Sequence, residues 1–312
     1  MAKEFNKNRF TGEPILRSLV KIIGGKSKTR DMIFEYFPGS YSYYIEPFMG
    51  SCTVAIGHVP TEVEILGDIS SYNINFFKHV RDYPHELYEG VQEALQGLDK
   101  EKWLSIRDTL NDPDPKPLAQ AVAYYIVNKA SMNAIIRFNL KGKCNSSYCG
   151  QTTGRGWMTW EWLWLVHKRI KNIGFNNQDW RLTMEMANYK EAFAYLDPPY
   201  YEVFTMYDKV RFNQLDHKEM VDYLKTFKGK FLVSLNDHPE VRELYSDFYL
   251  YPIQINYSVS QSAAGRGYKP ELLISNYCID YKLSQIQLAL DDRNSNKVSA
   301  KADNEELDKG SD

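Results

Sequence analysis

Short apolar segments that read as β-strands alternate with amphipathic helical patterns along much of the chain, and this alternation most constrains its fold. The predicted strands cover residues 43–47, 63–68, 192–197, 230–236, 248–259 and 271–277. Helical patterns follow the second strand, over 70–83, and precede the fourth, over 216–227. Strands that alternate with helices form a mostly parallel sheet. The sequence therefore predicts an α/β fold.

The alternation is interrupted between about residues 83 and 165. Helical patterns occupy the first part of this block, and residues 138–156 are rich in glycine and serine, as in a hairpin or loop. We therefore predict an inserted, mainly helical subdomain after the second strand. The last residues, 291–312, are polar and acidic without apolar periodicity, which predicts a disordered tail.

Four tryptophans lie close together in the segment GWMTWEWLWLVHKRI, residues 156–170. Trp160 and Trp164 are four residues apart, which is the spacing of neighbours on one helix face. Because apolar stripes at this spacing are usually buried, we predict that these rings pack in the core. Stacking on a base is the alternative.

The charge of the chain is unevenly distributed. The formal net charge is −2, yet residues 128–171 contain eight lysines and arginines and one acid, which gives 8 − 1 = +7. Such a stretch predicts a basic surface for an anionic partner. The chain has four scattered cysteines and no apolar run near the ~20 residues that span a bilayer, and its start lacks the apolar region of a secretory signal. We therefore expect a cytoplasmic protein.

The first predicted strand leads into a glycine-containing turn in the segment IEPFMGSCTVAIG, residues 45–57. In a doubly wound sheet, a strand, turn and helix in this order flank the crevice where nucleotide-like ligands bind. Gly50 would let the backbone approach such a ligand closely. The three-glycine dinucleotide fingerprint is absent, since only Gly50 and Gly57 are present, and this disfavours a nicotinamide cofactor.

The second predicted strand ends in Asp68, about twenty residues after the first turn. An acid at this position of a nucleotide-binding unit accepts hydrogen bonds from ribose hydroxyls. The alternative is that Asp68 caps the helix that follows, which aspartate does well. Given the preceding turn, we favour ribose binding.

The third predicted strand runs into Asp197-Pro198-Pro199-Tyr200, which we call the DPPY corner, residues 197–200. The prolines lack N–H donors and force an extended backbone, so the corner offers hydrogen-bond acceptors only. Such an array suits a ligand that presents an amino group, and Tyr200 can stack on a flat ring. The sequence therefore predicts a site for an amino group on a planar base.

These three motifs, in this order, resemble those of the Dam-type, D12 class of DNA adenine-N6 methyltransferases. The segment KIIGGK, residues 21–26, resembles the amino-terminal cofactor motif of that family. The segment NAIIRFNLKGKCN, residues 133–145, resembles its recognition hairpin, and ELLISNY, residues 271–277, resembles its closing strand. The resemblance extends over about residues 18–277.

The resemblance implies a Rossmann-like S-adenosylmethionine-dependent methyltransferase fold with an inserted, mainly helical target-recognition subdomain and hairpin. The expected domains are residues 1–80 and 166–282 for the two parts of the catalytic domain, 81–165 for the recognition subdomain and 283–312 for the tail. The methyl donor would be S-adenosylmethionine, and the reaction would need neither a metal nor a covalent enzyme intermediate.

The resemblance also implies roles for individual residues in catalysis and cofactor binding. Asp197 and the Pro198 carbonyl would accept both N6 hydrogens of an adenine rotated out of the duplex, and Tyr200 would stack on it. Lys26 would meet the cofactor carboxylate, Asp68 the ribose and Asp179 the adenine ring of the cofactor. The full set implied for cofactor binding is Lys26, Glu46, Pro47, Phe48, Gly50, Ser51, Asp68, Asp179 and Asp197.

The partner implied is double-stranded DNA, bound by a protein that is a monomer in solution. Arg137 resembles the arginine that reads a guanine in this family, and Lys21 a second guanine contact. Met132 would act as an apolar wedge. Further contacts to bases or phosphates are implied for Asn133, Asn139, Lys141 and Lys143. GATC is the expected target sequence.

Other functions compete with this interpretation. N4-cytosine methylation is disfavoured by Asp197, because serine is more usual at that position. An RNA target is disfavoured by the recognition hairpin. A DNA-binding protein without activity would be free to lose Asp197 or Tyr200, and both are present. A nicotinamide-dependent oxidoreductase is disfavoured by the missing glycines.

Overall fold

The structure is a computed structural model that describes residues 16–22, 24–139, 141–150, 156–202, 206–207, 210–257 and 267–279. The chain divides into two units, residues 1–276 and 277–312, and all the elements below belong to the first. The predicted tail, 283–312, lies outside the described residues. Within the described residues, no helix is both long enough and apolar enough to cross a membrane.

The described part of the chain forms nine strands and nine α-helices. The strands are β1 Tyr43–Glu46, β2 Val63–Gly67, β3 Gly174–Asn176, β4 Ala192–Leu196, β5 Met206–Tyr207, β6 Val210–Arg211, β7 Lys230–Asn236, β8 Tyr249–Tyr257 and β9 Gly267–Ser275. The helices are α1 Arg30–Phe34, α2 Ser71–Asp82, α3 Pro84–Leu95, α4 Lys100–Thr109, α5 Pro117–Ala130, α6 Trp160–Ile170, α7 Trp180–Glu185, α8 Gln214–Thr226 and α9 Pro239–Leu244. A 3₁₀ turn, Met132–Ala134, follows α5.

Seven of the described strands form one sheet in the order β3-β2-β1-β4-β7-β9-β8. The pairs from β3 to β7 are parallel, and β9 is inserted antiparallel between β7 and β8. The strand order reverses between β1 and β4, which makes this pair the topological switch point where α/β proteins bind ligands. The predicted α/β class is confirmed.

Both faces of the central strand β4 are covered, as expected for a parallel sheet. All five of its residues are buried. The ring of Phe193 packs against Phe37 and Tyr41, with ring centres 4.6 and 4.9 Å apart. The alternate residues belong to a core on the opposite face, which includes Trp180, Met184, Met220, Val221, Leu224 and Val241 from α7, α8 and α9. The carboxyl end of β4 is therefore held rigidly from both sides.

The helices α2 to α5 form a block that follows β2. Their beginnings have recognisable signals: Ser70 and Asp99 cap α2 and α4, and proline begins α3 and α5. Helix α5 is the central one, since most of its residues from Ala121 onward are buried. Its Tyr125 stacks on Phe76 of α2 with ring centres 5.9 Å apart. The boundaries of the predicted recognition subdomain stay a prediction.

Two sequence-based expectations differ from the structure. Strand β3 was not among the predicted strands, because its three residues are too few to show a periodic pattern. The tryptophans of α6 do not form its buried stripe, which consists of Leu163, Val166 and Ile170. Trp164 is instead 38% exposed and stacks on Trp160 with ring centres 5.4 Å apart. The prediction that these rings pack in the core was therefore wrong for Trp164.

We predict that Gly67→Ala destabilises the protein by about 1–3 kcal/mol, measured by urea unfolding. A methyl group at Gly67 would lie 2.4 Å from Oγ1 of Thr183, which is fully buried and β-branched and so cannot move aside. Gly174→Ala, on the neighbouring strand β3, is the control. Its methyl group would lie 3.6 Å from the Glu64 carbonyl, which is ordinary contact, so a change within about 0.5 kcal/mol is expected. Equal losses in the two variants would contradict this account.

Candidate active site

A cavity of about 500 Å³ lies at the carboxyl ends of β1, β2, β4 and β7. The segments that line it include residues 22 and 24–26, the turn after β1, the end of β2, residues 178–180, the DPPY corner and the middle of β9. All the residues predicted for catalysis and cofactor binding line this cavity: Lys26, Glu46, Pro47, Phe48, Gly50, Ser51, Asp68, Asp179, Asp197, Pro198 and Tyr200. Their roles stay predictions.

Asp197 and Lys26 form an ion pair in this cavity. Lys26 Nζ lies 2.7 Å from Asp197 Oδ1, and the side chains are 4% and 20% exposed respectively. Burial raises the pKa of Asp197 above that of an ordinary aspartate, the Lys26 charge opposes this rise, and Glu271 adds to it. The DPPY corner thus presents a carboxylate that holds a proton more readily than a surface aspartate does.

The hydroxyl of Tyr200 links this ion pair to a second carboxylate. It accepts a hydrogen bond from Lys26 Nζ at 3.2 Å and donates one to Glu271 Oε1 at 2.5 Å. The Lys26 ammonium also lies 5.0 Å from the centre of the Tyr200 ring. Glu271 belongs to β9 and is 1% exposed. A continuous polar chain therefore runs from Glu271 through Tyr200 and Lys26 to Asp197.

Strand β1 ends in a buried acid, Glu46, and the turn that follows contains a glycine with positive φ. Glu46 accepts a hydrogen bond from the Tyr44 hydroxyl at 2.8 Å. Burial raises the pKa of Glu46 well above its ordinary range, although the bond from Tyr44 acts in the opposite direction. Gly50 has φ +45°, a backbone conformation that favours glycine. This explains why the sequence has glycine where the chain turns into the cavity.

Asp68 organises the end of β2 and the turn after β1. Its Oδ2 accepts hydrogen bonds from the Gly50 amide at 3.0 Å and from Asn73 Nδ2 at 3.1 Å. Its Oδ1 accepts one from the Ser70 amide at 2.8 Å. The residue that caps α2 is Ser70, so the alternative role of Asp68 as helix cap is wrong. Ribose binding by Asp68 stays a prediction.

Asp179 and two aromatic residues form another wall of the cavity. Asp179 caps α7 by accepting a hydrogen bond from the Arg181 amide at 3.0 Å. The rings of Phe48 and Trp180 are inclined by 28°, with their centres 6.5 Å apart. Trp180 is buried, and its Nε1 has no hydrogen-bond partner among the described residues. This wall combines an apolar surface with a buried donor.

His217 of α8 packs beneath the DPPY corner. Its ring is 2% exposed, lies 5.4 Å from that of Tyr201 and hydrogen-bonds the Pro199 carbonyl. Burial lowers the pKa of His217 to about 4, although Asp216 and the bond to Pro199 act in the opposite direction. The imidazole is therefore neutral at neutral pH.

The predicted DNA-contacting residues lie outside the lining of the cavity, on two segments joined by Asn128 of α5. The Asn128 amide group accepts a hydrogen bond from the Lys21 amide at 3.0 Å and donates to the Lys21 carbonyl at 2.7 Å. It also donates to the Ala134 carbonyl at 3.2 Å. The side chains of Lys21 and Met132 are exposed. Of Asn133 only the backbone is described, as part of the 3₁₀ turn.

The predicted recognition hairpin contains an antiparallel bridge between Phe138 and Cys144. Asn139 Oδ1 accepts hydrogen bonds from the amides of Lys141 and Lys143 at 2.9 and 3.0 Å, so this side chain shapes the turn. The ring of Phe138 stacks on Tyr72 at the start of α2, with ring centres 5.1 Å apart. Because α2 begins at the carboxyl end of β2, the hairpin lies at the same edge of the sheet as the cavity.

Arg137, Lys141 and Lys143 of the hairpin are exposed. Not every charge of the basic stretch 128–171 reaches the surface, however. Lys129 is buried and donates to the Gly156 carbonyl at 3.1 Å, and Arg169 forms a buried ion pair with Glu64 at 2.7 Å. The basic surface is therefore smaller than the sequence suggests.

Two residues of the site were not singled out from the sequence. Glu271 belongs to the segment ELLISNY, which predicts a strand but carries no signal that its acid is buried beside Tyr200. Asn236 ends β7, and its side chain accepts a hydrogen bond from the Tyr201 amide at 2.9 Å and donates to the Tyr201 carbonyl at 3.2 Å. For Glu271, the available signal was its place at the start of the predicted apolar strand 271–277, because an acid in a buried strand usually has a polar partner.

The fold defines an α/β protein with a ligand cavity at the switch point of its sheet. The sequence profile of the D12 class N6 adenine-specific DNA methyltransferases matches residues 23–259, and the chain belongs to this family. It is therefore an adenine-N6 DNA methyltransferase, as its sequence motifs predicted.

Named relatives agree with this assignment. The type II methyltransferase M1.LlaDCHI of Lactococcus lactis subsp. cremoris is 25% identical over 275 residues, which cover 84% of this chain and 96% of that protein. The DNA adenine methylase of Serratia marcescens is 25% identical over 268 residues, 82% of this chain and 97% of that protein. The DNA N-6-adenine-methyltransferase of Escherichia phage P1 is 27% identical over 274 residues, 82% of this chain but 35% of that protein.

We predict that His217 makes the protein less stable as the pH falls from about 6.5 to about 4. In this range the unfolded chain binds a proton at His217 and the folded protein does not, so the free energy of unfolding falls with pH, by up to about 3 kcal/mol for this group. Urea unfolding at several pH values measures the effect. The control is His217→Gln, which does not titrate and should show a correspondingly smaller slope. Equal slopes for the two proteins would refute the assignment.

Proposed function

We propose that this protein transfers a methyl group from S-adenosylmethionine to N6 of an adenine that is rotated out of duplex DNA, at GATC or a related short site. One observation carries the proposal: the DPPY corner, the Gly50 turn and Asp68 all line the same cavity at the switch point of the sheet. The cofactor and the amino group would meet there.

The cavity suits the proposed methyl donor in size and charge. Its volume of about 500 Å³ is within the usual range for a site that encloses a small molecule. Among the described residues of the lining, the acids are Glu46, Asp68, Asp179, Asp197 and Glu271, and the one lysine is Lys26. An excess of carboxylates favours a positively charged ligand. S-adenosylmethionine, when bound, supplies a methyl group activated by a sulfonium centre.

Each end of this ligand has a proposed partner in the chain. Lys26 would bind its carboxylate, and Asp68, which already holds the Gly50 amide, would bind its ribose. Phe48 and Trp180 offer an apolar surface for its adenine ring, and Asp179 lies beside them as a hydrogen-bond acceptor. The remaining residues proposed for this ligand are Glu46, Pro47, Gly50 and Ser51.

The DPPY corner would orient the target amine. Asp197 and the Pro198 carbonyl accept the two N6 hydrogens, which concentrates the nitrogen lone pair and aims it at the methyl carbon. Tyr200 stacks on the base. As the new N–C bond forms, the bond between the methyl carbon and sulfur would break and leave a neutral thioether. N6 would release one proton, for which Asp197 is the nearest proposed acceptor. Burial raises the pKa of Asp197 above that of an ordinary aspartate, which makes this carboxylate a better proton acceptor.

The exposed residues of the hairpin and of the segment before Lys26 would read the DNA. Arg137 is exposed and can form a bidentate bond to a guanine. Lys21 is also exposed, on the segment that Asn128 holds through the Lys21 carbonyl. Met132, 52% exposed, is proposed as the wedge that enters the base stack. Asn133, Asn139, Lys141 and Lys143 are proposed contacts to bases or phosphates.

A direct test is single-molecule sequencing of DNA from a methylation-deficient host that expresses the protein. We expect N6-methyladenine within one short sequence context, GATC or a close relative. A different methylated context would overturn the GATC proposal, and the absence of modified adenine would overturn the function. We further propose that the enzyme acts in the cytoplasm. We also propose that it is a monomer before it binds DNA, and light scattering of the purified protein tests its oligomeric state.

We predict that Asp197→Ala lowers methyl transfer by on the order of 10²–10³-fold or more, since it removes an acceptor of the reacting amine. Tritiated-methyl incorporation measures the loss. Cofactor binding, measured by calorimetry, should largely survive. Asp197→Asn keeps a hydrogen-bond acceptor beside Lys26 but cannot take up the proton that N6 releases, so it should be similarly inactive. The control Asp247→Ala removes an exposed acid paired with Lys225 and should keep wild-type activity. Substantial turnover by Asp197→Ala would rule out the proposed role.

We predict that Arg137→Ala weakens recognition of the target site by about 1–3 kcal/mol and relaxes discrimination at one guanine position. Binding to a panel of sites with single base changes measures this loss. Lys190→Ala removes one positive charge just before β4, at the opposite edge of the sheet, and is the control for net charge. Arg137 would not be a base-reading residue if both variants discriminated among the sites as well as the wild type does.

A further inference from the structure

Glu271 is a buried acid in an apolar strand. It lies in β9 between β7 and β8, opposite Asn236 on one side and Ile253 on the other. The residues that follow it, Leu272, Leu273 and Ile274, are fully buried and apolar. A carboxylate that is 1% exposed in such a strand costs folding free energy unless other groups compensate it. An acid at this position therefore suggests a role other than core packing.

The Glu271 carboxylate contacts Tyr200, the side chain of the DPPY corner that is proposed to stack on the base. It accepts the hydrogen bond of the Tyr200 hydroxyl and lines the cavity next to it. An aromatic ring attached through two rotatable bonds can swing and tilt unless its far end is held. Glu271 holds that end, so it fixes both the position and the tilt of the ring.

The other anchors of the corner hold its backbone instead. Asn236, the partner of Glu271 across the β7–β9 pair, binds the amide and the carbonyl of Tyr201. His217 binds the Pro199 carbonyl. These contacts fix the path of the backbone and do not themselves determine the rotamer of the Tyr200 ring. Among the described contacts, the hydroxyl bonds to Glu271 and Lys26 are the polar ones that orient the ring.

We propose that Glu271 is a positioning residue for methyl transfer: by accepting the Tyr200 hydroxyl bond, it holds the ring in the orientation that stacks on the extruded adenine. This inference rests on the proposed function, because it assumes that Tyr200 stacks on the target base. Glu271 acts through Tyr200 and contacts no reacting atom.

Glu271 is also connected to Lys26 and Asp197 through the Tyr200 hydroxyl. The Tyr200 hydroxyl accepts from Lys26 while Lys26 pairs with Asp197, so the ring and the ammonium are held together. The Glu271 charge adds to the rise in the pKa of Asp197. Replacing Glu271 by a neutral residue should therefore move the acidic limb of the rate–pH profile to lower pH. A residue with a purely structural role, distant from Asp197, would not move this limb.

Three single variants separate the roles of the hydroxyl acceptor, the charge and the ring. Glu271→Gln keeps an acceptor oxygen without the charge, Glu271→Leu removes the acceptor at similar volume, and Tyr200→Phe keeps the ring without its hydroxyl. We expect kcat to fall by roughly 10–100-fold in Glu271→Leu, as for other residues that orient a functional group, with the KM for DNA changed less than about threefold. Glu271→Gln should retain activity within about fivefold of the wild type.

The double variant Glu271→Leu/Tyr200→Phe tests whether Glu271 works through the hydroxyl. If it does, the double variant is no slower than the slower single variant, because both changes remove the same hydrogen bond. Multiplied losses would overturn the proposal. Glu240→Gln is the matched control: it removes an exposed negative charge near the corner, on α9, without touching Tyr200, and should leave kcat unchanged.

A spectroscopic readout follows the ring directly. DNA with 2-aminopurine at the target position becomes brighter when this base leaves the stack, and is quenched again when it stacks on an aromatic ring. We expect the wild-type complex to show a short-lived, quenched component that lengthens in Glu271→Leu and is restored in Glu271→Gln. Wild-type kcat and an unchanged lifetime in Glu271→Leu would overturn the proposal, as would a Glu271→Gln variant as impaired as Glu271→Leu.

The proposed function and the proposed role of Glu271 would be refuted by different results. If the wild-type protein adds no methyl group to adenine, or leaves 2-aminopurine stacked in the duplex, the proposed function fails. If the wild type is active and extrudes the base while Glu271→Leu matches it in kcat and lifetime, only the role of Glu271 fails. Urea unfolding of each variant establishes that activity is compared between folded proteins.

Discussion

The ion pair between Lys26 and Asp197 joins parts of the chain that are far apart in sequence. It places a positive charge in a cavity whose other charged residues, among those described, are acids. A buried pair of this kind adds little net stability, because both charges lose their water, but leaving either one alone would be costly. The pair therefore specifies an arrangement: the segment that carries Lys26 must lie against the DPPY corner. Through Tyr200 it also fixes the relation of β9 to that corner.

The sheet determines where this arrangement can form. Strands β1 and β4 are parallel neighbours at the point where the strand order reverses, so the turns that follow them diverge and leave a crevice. Asp68 closes one side of it by binding the Gly50 amide. The prolines of the DPPY corner close the other side with a backbone that cannot donate hydrogen bonds. The acceptor character of the site thus follows from residue types at strand ends.

Much of this organisation could be predicted from the sequence, because strand ends carry local signals. The apolar runs that end in Asp68 and Asp197 correspond to β2 and β4, and the glycine turn lies where the pattern places it. Glu271 could not be assigned in this way. Its role depends on strand β9 lying beside β7, an antiparallel insertion that no periodic pattern specifies. Likewise, the sequence counts Lys129 and Arg169 as part of a basic surface, and only their tertiary contacts show that they are internal.

Asn128 has a consequence for redesign of the enzyme. One side-chain amide fastens both the segment of Lys21 and the turn at Ala134, so the two predicted DNA-contacting segments share a single attachment point. A chimaera that takes its hairpin from another member of the family would have to preserve this attachment. A chimaera that retains Asn128 and exchanges only the exposed positions beyond residue 134 would keep the hydrogen bonds between Asn128 and the Lys21 backbone.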